Sequence, residues 1–240
     1  MKMHILLIIT FICSQGFAKT LWGEKVKIGR GYARTFIEIA KDTPQSVGVA
    51  ISKEVLSSLP HEMSEFELPL PHKYKWNLPP YEHVTLDWNP HGHDPESIYS
   101  LPHFDVHFYF ITSQVRNSIT CMNEDEANCM QAPLASSLPA NYAPTPAGVP
   151  KMGWHWVDLL APEFNGGTFT HTYIYGFYKG EHIFLEPMVT LDYLRSRKSN
   201  HTAIRTPSQF SNPNGYYPQS YKISYDKKNK LHKIILTDFK

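Results

Sequence analysis

A cluster of histidines and aspartates lies in residues 91–110, which read HGHDPESIYSLPHFDVHFYF. The chain of 240 residues has 13 histidines. This stretch contains the following polar candidates: His91, His93, Asp94, His103, Asp105 and His107. Imidazole is the commonest protein ligand for zinc and related ions, and its unperturbed pKa lies near neutral pH. This composition therefore points to metal binding or acid–base catalysis.

The spacing of the histidines limits which of them can bind one ion together. His91 and His93 form an H-x-H pair, whose rings point the same way if the segment is extended. On a strand that rises about 3.3 Å per residue, His103 and His107 would be about 13 Å apart. Zinc–nitrogen bonds are only about 2.0–2.1 Å long, so these two cannot easily share an ion. We assign His107 to the metal with His91 and His93, and place His103 outside this ligand set or at a second ion.

The element that positions these side chains is predicted by residues 102–115, PHFDVHFYFITSQV, which have a period-two pattern. On a strand, one face would carry His103, Asp105, His107 and Tyr109, and the other Phe104, Val106, Phe108 and Phe110. The apolar face must be buried in a core. The polar face is then expected to line an interior pocket, where Asp105 can orient a histidine through its free ring nitrogen.

Two later residues are candidates for the same site. His155 lies between Trp154 and Trp156, which could shield a site from water, and it is the fourth candidate ligand. Glu186 is an acid within an apolar run, where a buried carboxylate needs a partner, and it suits the role of proton acceptor. The structural alternatives are a packed histidine and an acid at a helix N-terminus, and histidines in loops often only satisfy backbone groups.

The N-terminal segment of the chain and its cysteines suggest export. Residues 1–18 combine a basic start, a short apolar run and small residues near Ala18, as in a cleaved signal peptide, and a secreted or periplasmic location follows. The remaining pair, Cys121 and Cys129, is predicted to form a disulfide, with two reduced thiols as the alternative. The net charge of +1 does not favour nucleic-acid binding, and no later segment is long and apolar enough to span a membrane.

The composition predicts a mainly β fold, an antiparallel barrel or sandwich with a few short helices. Aromatic residues make up 13% of the chain, and there are 19 prolines. Strand patterns cover residues 31–40, 45–52 and 83–88, and a short helix is predicted over residues 52–60. We expect one antiparallel β domain, and the tail carries a further hairpin pattern in YKISYD and LHKIILTDF.

Several motifs together resemble a family of uncharacterised exported bacterial proteins, a domain of unknown function with a Thermus protein as its structural representative. They are SVGVAISKEVLSSLP, HGHDPESIYSLPHFDVHFYF, MGWHWVD, APEF and GFYKGEHIFLEPM, within residues 28–195. The resemblance implies a compact, mainly β, barrel-like domain that assembles into a ring-like homo-oligomer, and it implies no established activity. Because the resemblance ends near residue 195, it implies a barrel-like domain over residues 19–195 and a C-terminal extension with a β-hairpin over residues 196–240. The family's motif residues fall here on His91, His93, His103, Asp105, His107, His155 and Glu186.

The predicted function is that of an exported metal-binding protein with a histidine-rich pocket, or a metal-dependent hydrolase-like enzyme. The expected cofactor is a divalent metal, zinc first, and the expected partner is a small-molecule ligand or substrate. Two alternatives involve no metal: a periplasmic or surface module that binds a small organic ligand, and an oligomeric structural protein. No G-x-S-x-G, phosphate-binding glycine loop or H-E-x-x-H motif occurs in the sequence.

Overall fold

The structure is a computed structural model that describes residues 19–41, 43–71 and 81–240. The predicted signal peptide, residues 1–18, lies outside the described residues. Within the described part of the chain, the strands form two antiparallel sheets of seven strands each. Neither sheet closes on itself there, so the mainly β prediction is confirmed in its sandwich form.

Sheet A combines strands from both ends of the described chain. Its strands are β1 (Lys19–Trp22), β2 (Val26–Ile28), β3 (Gly31–Ala40), β4 (Thr43–Ser52), β12 (Asn200–Ala203), β13 (Pro218–Asp226) and β14 (Leu231–Phe239). They follow the order β1-β3-β4-β14-β13-β12, and β2 also pairs with β3. The strand patterns predicted over residues 31–40 and 45–52 thus become the β3–β4 hairpin.

Sheet B is built from the middle of the chain. Its strands are β5 (Ser64–Pro69), β6 (His83–Asn89), β7 (His103–Tyr109), β8 (Tyr142–Pro144), β9 (Trp154–Asp158), β10 (His171–Tyr178) and β11 (Glu181–Thr190). Their order is β5-β6-β7-β11-β10-β9-β8. The period-two stretch of the sequence is β7, which lies near the centre of the sheet between β6 and β11.

The helices are short and lie in connections. They are α1 (Ser113–Ser118), α2 (Glu126–Cys129) and α3 (Leu191–Ser196), with 3₁₀ turns at Val55–Ser57, Asn123–Asp125, Ala135–Ser137 and Pro162–Phe164. The helix predicted over residues 52–60 is therefore only a single 3₁₀ turn. Among the described residues, no helix has the length and apolarity that a membrane crossing would require.

The main hydrophobic core lies between the two sheets. Alternate residues of β7, namely Phe104, Val106 and Phe108, are fully buried in a cluster that also contains Val49 of β4 and Ile234 of β14. Period-two alternation sends the apolar side chains of each strand to this core and the polar ones to the opposite face. The polar face of β7 consequently points away from sheet A.

Residues 196–240, assigned by the sequence to a C-terminal extension, supply three strands of sheet A. Strand β14 pairs with β4 over seven residues, from Leu231 opposite Ser52 to Thr237 opposite Ser46. Its side chains Ile234 and Leu236 are fully buried in the main core. This segment is therefore part of the same sheet as the N-terminal strands.

Candidate metal sites on the outer face of sheet B

The polar side chains of three neighbouring strands lie together on the face of sheet B that points away from sheet A. Register pairs Thr85 with His107, Asp87 with Asp105 and Asn89 with His103 across β6 and β7. On the other side of β7, strand β11 carries Glu186. These side chains are all buried. Because most of them ionise or bind protons, burying them together requires partners within the face itself.

The first of two clusters on this face consists of His93, His103 and Asp105, and we call it the Asp105 group. The Nε2 atoms of His93 and His103 lie 3.3 and 3.1 Å from the Asp105 carboxylate oxygens. On the far side of each ring, Nδ1 donates to a backbone carbonyl: of Asp94 at 2.7 Å and of Leu101 at 2.6 Å. Both rings are thereby fixed with Nε2 directed at one carboxylate.

The second cluster consists of His107, His155 and Glu186, and we call it the Glu186 group. The Nε2 atoms of His107 and His155 lie 3.5 and 3.6 Å from the two Glu186 oxygens. His107 Nδ1 is 2.7 Å from Asp87 Oδ2, so a carboxylate orients this ring from behind. An imidazole held by a carboxylate through its outer nitrogen is the usual arrangement around a metal-binding histidine.

The contacts inside each group are too long for strong hydrogen bonds but have the right length for metal ligands. Charge-assisted N–H···O bonds measure about 2.7–2.9 Å, whereas the four inner contacts span 3.1–3.6 Å. Two ligand atoms bound tetrahedrally at about 2.0–2.1 Å from one zinc ion lie roughly 3.3–3.4 Å apart. The donor atoms within each group all lie within 4.8 Å of one another. Each group therefore fits one ion of the size of zinc.

Both groups border a single cavity of about 670 Å³. The Asp105 group contributes His93 and Asp105 to its lining, and the Glu186 group contributes His155 and Glu186. Its other walls come mainly from apolar side chains and from one loop segment: Met63, Trp88, Tyr99, Met152, Ile174 and residues 145–149. Both groups are therefore accessible from the same cavity.

Electrostatics within the two groups shift several protonation equilibria. Burial lowers the pKa of His93, but Asp105 outweighs it and raises that pKa to about 9. Burial also opposes protonation of His107, yet Glu186 and Asp87 raise its pKa to about 9. For His155, burial and the nearby charge of His107 lower the pKa to about 3. The face thus concentrates negative potential, which favours a cation.

The structure divides the sequence-predicted ligands between the two groups. His93 joins His103 and Asp105, which the sequence assigned to supporting positions, while His107 and His155 join Glu186. His91 is exposed and lies outside both groups. The chain turns at Gly92, whose φ is +71°, so the H-x-H segment is not extended and its two rings do not converge.

Asp87 and Asn89 are site residues that the sequence analysis missed. Asn89 Nδ2 donates to Asp105 Oδ2 at 2.7 Å, and Thr85 Oγ1 donates to Asp87 Oδ2 at 2.9 Å. Their signal is present in the sequence HVTLDWN of β6, where four polar residues alternate with Val84, Leu86 and Trp88. The period-two argument used for β7 would have found them on β6.

Fold and site together define a two-sheet antiparallel sandwich with two histidine–carboxylate groups capable of holding metal on one outer face. Residues 40–88 match the family model described as "TTHB210-like: Hypothetical protein TTHB210". The resemblance to an uncharacterised family with a Thermus representative is thus confirmed over these residues. The match covers β4 to β6 and includes Asp87, but it ends before both groups. No curated protein and no solved structure matched the chain.

Proposed function

We propose that this protein binds two divalent metal ions, zinc above all, one in the Asp105 group and one in the Glu186 group. The proposal rests on the difference between the contacts of the two ring nitrogens, Nδ1 and Nε2, in His103 and in His107. His103 and His107 make short hydrogen bonds of 2.6 and 2.7 Å behind the ring. In front, the contacts to Asp105 and Glu186 have the spacing of zinc ligands. Imidazole and carboxylate donors suit zinc well.

We further propose a hydrolytic reaction on a neutral, largely apolar substrate. Zinc supplies a Lewis acid that polarises a carbonyl oxygen and makes water more acidic. The cavity is lined by Trp88, Tyr99, Met152 and other apolar groups, and no lysine or arginine of the described residues lines it. An anionic substrate would also meet the carboxylates of Glu65, Asp87 and Asp94, which line the cavity beside those of the two groups. In this proposal Glu186 serves as a metal ligand and not as the proton acceptor that the sequence analysis predicts.

Metal analysis of protein purified without a histidine tag tests the binding proposal. We expect two equivalents of zinc per chain and a rise in melting temperature on zinc addition. His103→Ala should lose one equivalent, and His155→Ala the other. The exposed His91 offers a matched control, because His91→Ala should retain both. A wild-type protein that retains no metal and gains no thermal stability from added zinc overturns the proposal.

The catalytic step is tested separately, with chromogenic substrates. The zinc-loaded protein should hydrolyse neutral nitrophenyl esters in preference to a nitrophenyl phosphate diester, and removal of zinc should abolish the activity. Bound zinc without turnover of either substrate would leave a metal-binding protein that is not a hydrolase. Ester turnover that persists in the metal-free protein would contradict the metal-dependent mechanism.

The compartment and the assembly state remain separate predictions. The sulfur atoms of Cys121 and Cys129 lie at disulfide distance, which favours an extracytoplasmic location. We propose export through the signal peptide of residues 1–18. Light scattering on the purified chain tests the homo-oligomer that the family resemblance implies.

A further inference from the structure

A second cavity of about 450 Å³ lies away from the metal groups, between the edges of the two sheets. Sheet B contributes residues of β8, β9 and β10, and sheet A contributes residues of β12 and β13. The segment that contains Pro162 and Glu163 lies along the same cavity. The proposed metal-dependent reaction uses none of these residues.

Glu163 is the unexplained polar group of this cavity. Its side chain is buried, with a relative exposure of 7% for the residue. Neither carboxylate oxygen makes a hydrogen bond of normal geometry within the described part of the chain, although the hydroxyls of Thr172 and Tyr99 lie close enough to favour its ionised form. Burial raises its pKa, because the ionised form is poorly solvated there. A buried carboxylate without a well-formed hydrogen bond is costly, so a ligand that donates to it would stabilise it.

The other charged groups around the cavity do not neutralise Glu163. Arg205 makes an ion pair with Asp158, so its guanidinium is already engaged. His171 has a pKa lowered by burial and is 2.7 Å from the Tyr221 hydroxyl. With Arg205 paired and His171 neutral, an ionised Glu163 leaves the cavity with a net negative charge.

The walls of the cavity are aromatic. Tyr173 and Tyr221 are stacked with ring centroids 5.6 Å apart, and Tyr142 lines the same space. The Tyr173 hydroxyl is buried and also lacks a hydrogen-bond partner among the described residues. Aromatic faces attract cations through their quadrupole, most strongly where water is excluded. The negative charge of Glu163 and the aromatic walls therefore both favour a cationic ligand.

We infer that this cavity binds a small organic cation, a primary ammonium or a monoalkyl guanidinium group, with Glu163 as its counter-ion. The cation would donate N–H groups to Glu163 and lie against Tyr173 and Tyr221. A metal ion is a poorer fit, because no group of three metal-type donors among the described residues includes Glu163. An anion is a poorer fit still, since Arg205 is held by Asp158.

Calorimetric titration of the full chain, in the metal state in which it is purified, with n-propylammonium chloride tests this inference. We expect saturable binding in the millimolar range, little or no binding of n-propanol, and no response to potassium chloride at equal ionic strength. Glu163→Gln keeps the size of the side chain and should weaken ammonium binding at least tenfold. Tyr173→Phe keeps the aromatic wall and should retain most of the binding.

Two outcomes overturn the inference. One is a wild-type protein that binds propanol as well as propylammonium, or that binds neither. The other is a folded Glu163→Gln variant, with an unfolding midpoint close to the wild type, that binds propylammonium unchanged. The comparison of the two ligands uses only the wild-type chain, so it decides the question even if the variant does not fold. Zinc content, measured in parallel, separates this cavity from the metal groups.

Discussion

Asp105 and Glu186 are two buried carboxylates on one face of a sheet whose pKa values move in opposite directions. Burial opposes ionisation of both. For Asp105, the imidazoles of His103 and His93 outweigh burial, so its pKa lies well below the ordinary value. For Glu186, burial dominates and raises the pKa to about 8, although His107 opposes it. Without a metal, the Asp105 group is therefore an ionised acceptor, and the Glu186 group competes with protons near neutral pH.

The carboxylate of Asp87 provides the most direct residue-level test of the Glu186 group. Asp87→Asn removes the negative charge that holds His107 Nδ1 at 2.7 Å while keeping the size of the side chain. Loss of such an outer partner typically weakens metal binding about 10–100-fold. We expect that loss for one of two zinc equivalents, measured by competition with a fluorescent zinc chelator. Asp192→Asn is the matched control, because the Asp192 side chain is 96% exposed.

If both equivalents weaken equally in Asp87→Asn, the two groups do not bind metal independently. If neither weakens, Asp87 has only a structural role. The chain is again purified without a histidine tag, whereas the cysteines can stay, since Cys121 and Cys129 are joined to each other and lie outside both groups.

A buried histidine away from the metal groups predicts acid sensitivity. His182 is 5% exposed, and burial lowers its pKa to about 3. In the unfolded chain the His182 imidazole binds a proton near pH 6.5, whereas the folded protein keeps it neutral down to about pH 3. The free energy of unfolding is therefore highest above pH 6.5 and decreases as the pH falls towards 3. We expect a loss of about 2 kcal/mol at pH 5 from this residue, at ~1.4 kcal/mol per pH unit.

Urea unfolding at pH 7 and pH 5 measures this loss. His182→Gln should flatten the pH dependence by the same amount, whereas His61→Gln should not change it, because His61 is exposed. If the free energy of unfolding of His182→Gln decreases between pH 7 and pH 5 as much as that of the wild type, then the folded wild-type protein binds a proton at His182.

The sequence predicted most residues of the candidate site but not their grouping. Strand spacing alone separated His103 from His107, and the structure places them in different groups. Which third residue joins each pair depends on long-range pairing and on the turn at Gly92, which strand periodicity along one segment does not describe. His155 and Glu186 reach the site from β9 and β11, so their convergence depends on the order of strands in sheet B.

At the scale of elements, the loop of residues 145–149, which lines the metal cavity, packs against the disulfide. Residues 145–149 line the cavity, and Gly148 lies against the cystine. A Cβ atom at Gly148 would be 2.9 Å from Cys129 Cβ and 3.1 Å from Cys121 Sγ. The loop is also fixed to β9, since Thr145 N donates to the His155 carbonyl at 2.9 Å. One wall of the cavity therefore depends on a cross-link outside it.

Replacing both cysteines by serine should loosen this wall. We expect the free energy of unfolding to fall by about 2–3 kcal/mol, from the entropy of the short closed loop. Hydrogen exchange should accelerate in residues 145–149 while β7 stays protected. Gly148→Ala, which crowds the same contact with the disulfide intact, should accelerate exchange in the loop alone. Unchanged exchange there in both variants would show that the loop is held by β9 and not by the cystine.

Local patterns predicted strands better than helices in this chain. The patterns over residues 31–40 and 83–88 became β3 and β6 because each alternates apolar and polar side chains. The helix predicted from Ser52 failed, since Ser52 ends β4 and its Oγ accepts from Tyr32 N at 3.1 Å. A serine that fits the pattern of a helix N-cap in the sequence is here the last residue of a hairpin strand.

At the scale of the whole molecule, sheet A depends on strands far apart in the chain. Strand β14 lies between β4 and β13, and Ile234 and Leu236 enter the main core. A chain without residues 218–240 should therefore lose cooperative unfolding by urea, and Ile234→Ala should cost about 2–5 kcal/mol. Lys228→Ala, in the exposed turn of the hairpin, should behave as the wild type. A truncated chain with a sharp unfolding transition would show that the chain folds without β13 and β14.

The pairing of β4 with β14 also determines how late in synthesis sheet A can be completed. Gln45 and Thr237, which are hydrogen-bonded in the finished sheet, are 192 residues apart. At about 5–20 residues per second, a ribosome needs on the order of 10–40 s to travel between them. Throughout that interval the edge of β4 that later pairs with β14 has no partner strand, which leaves it open to pairing with neighbouring chains.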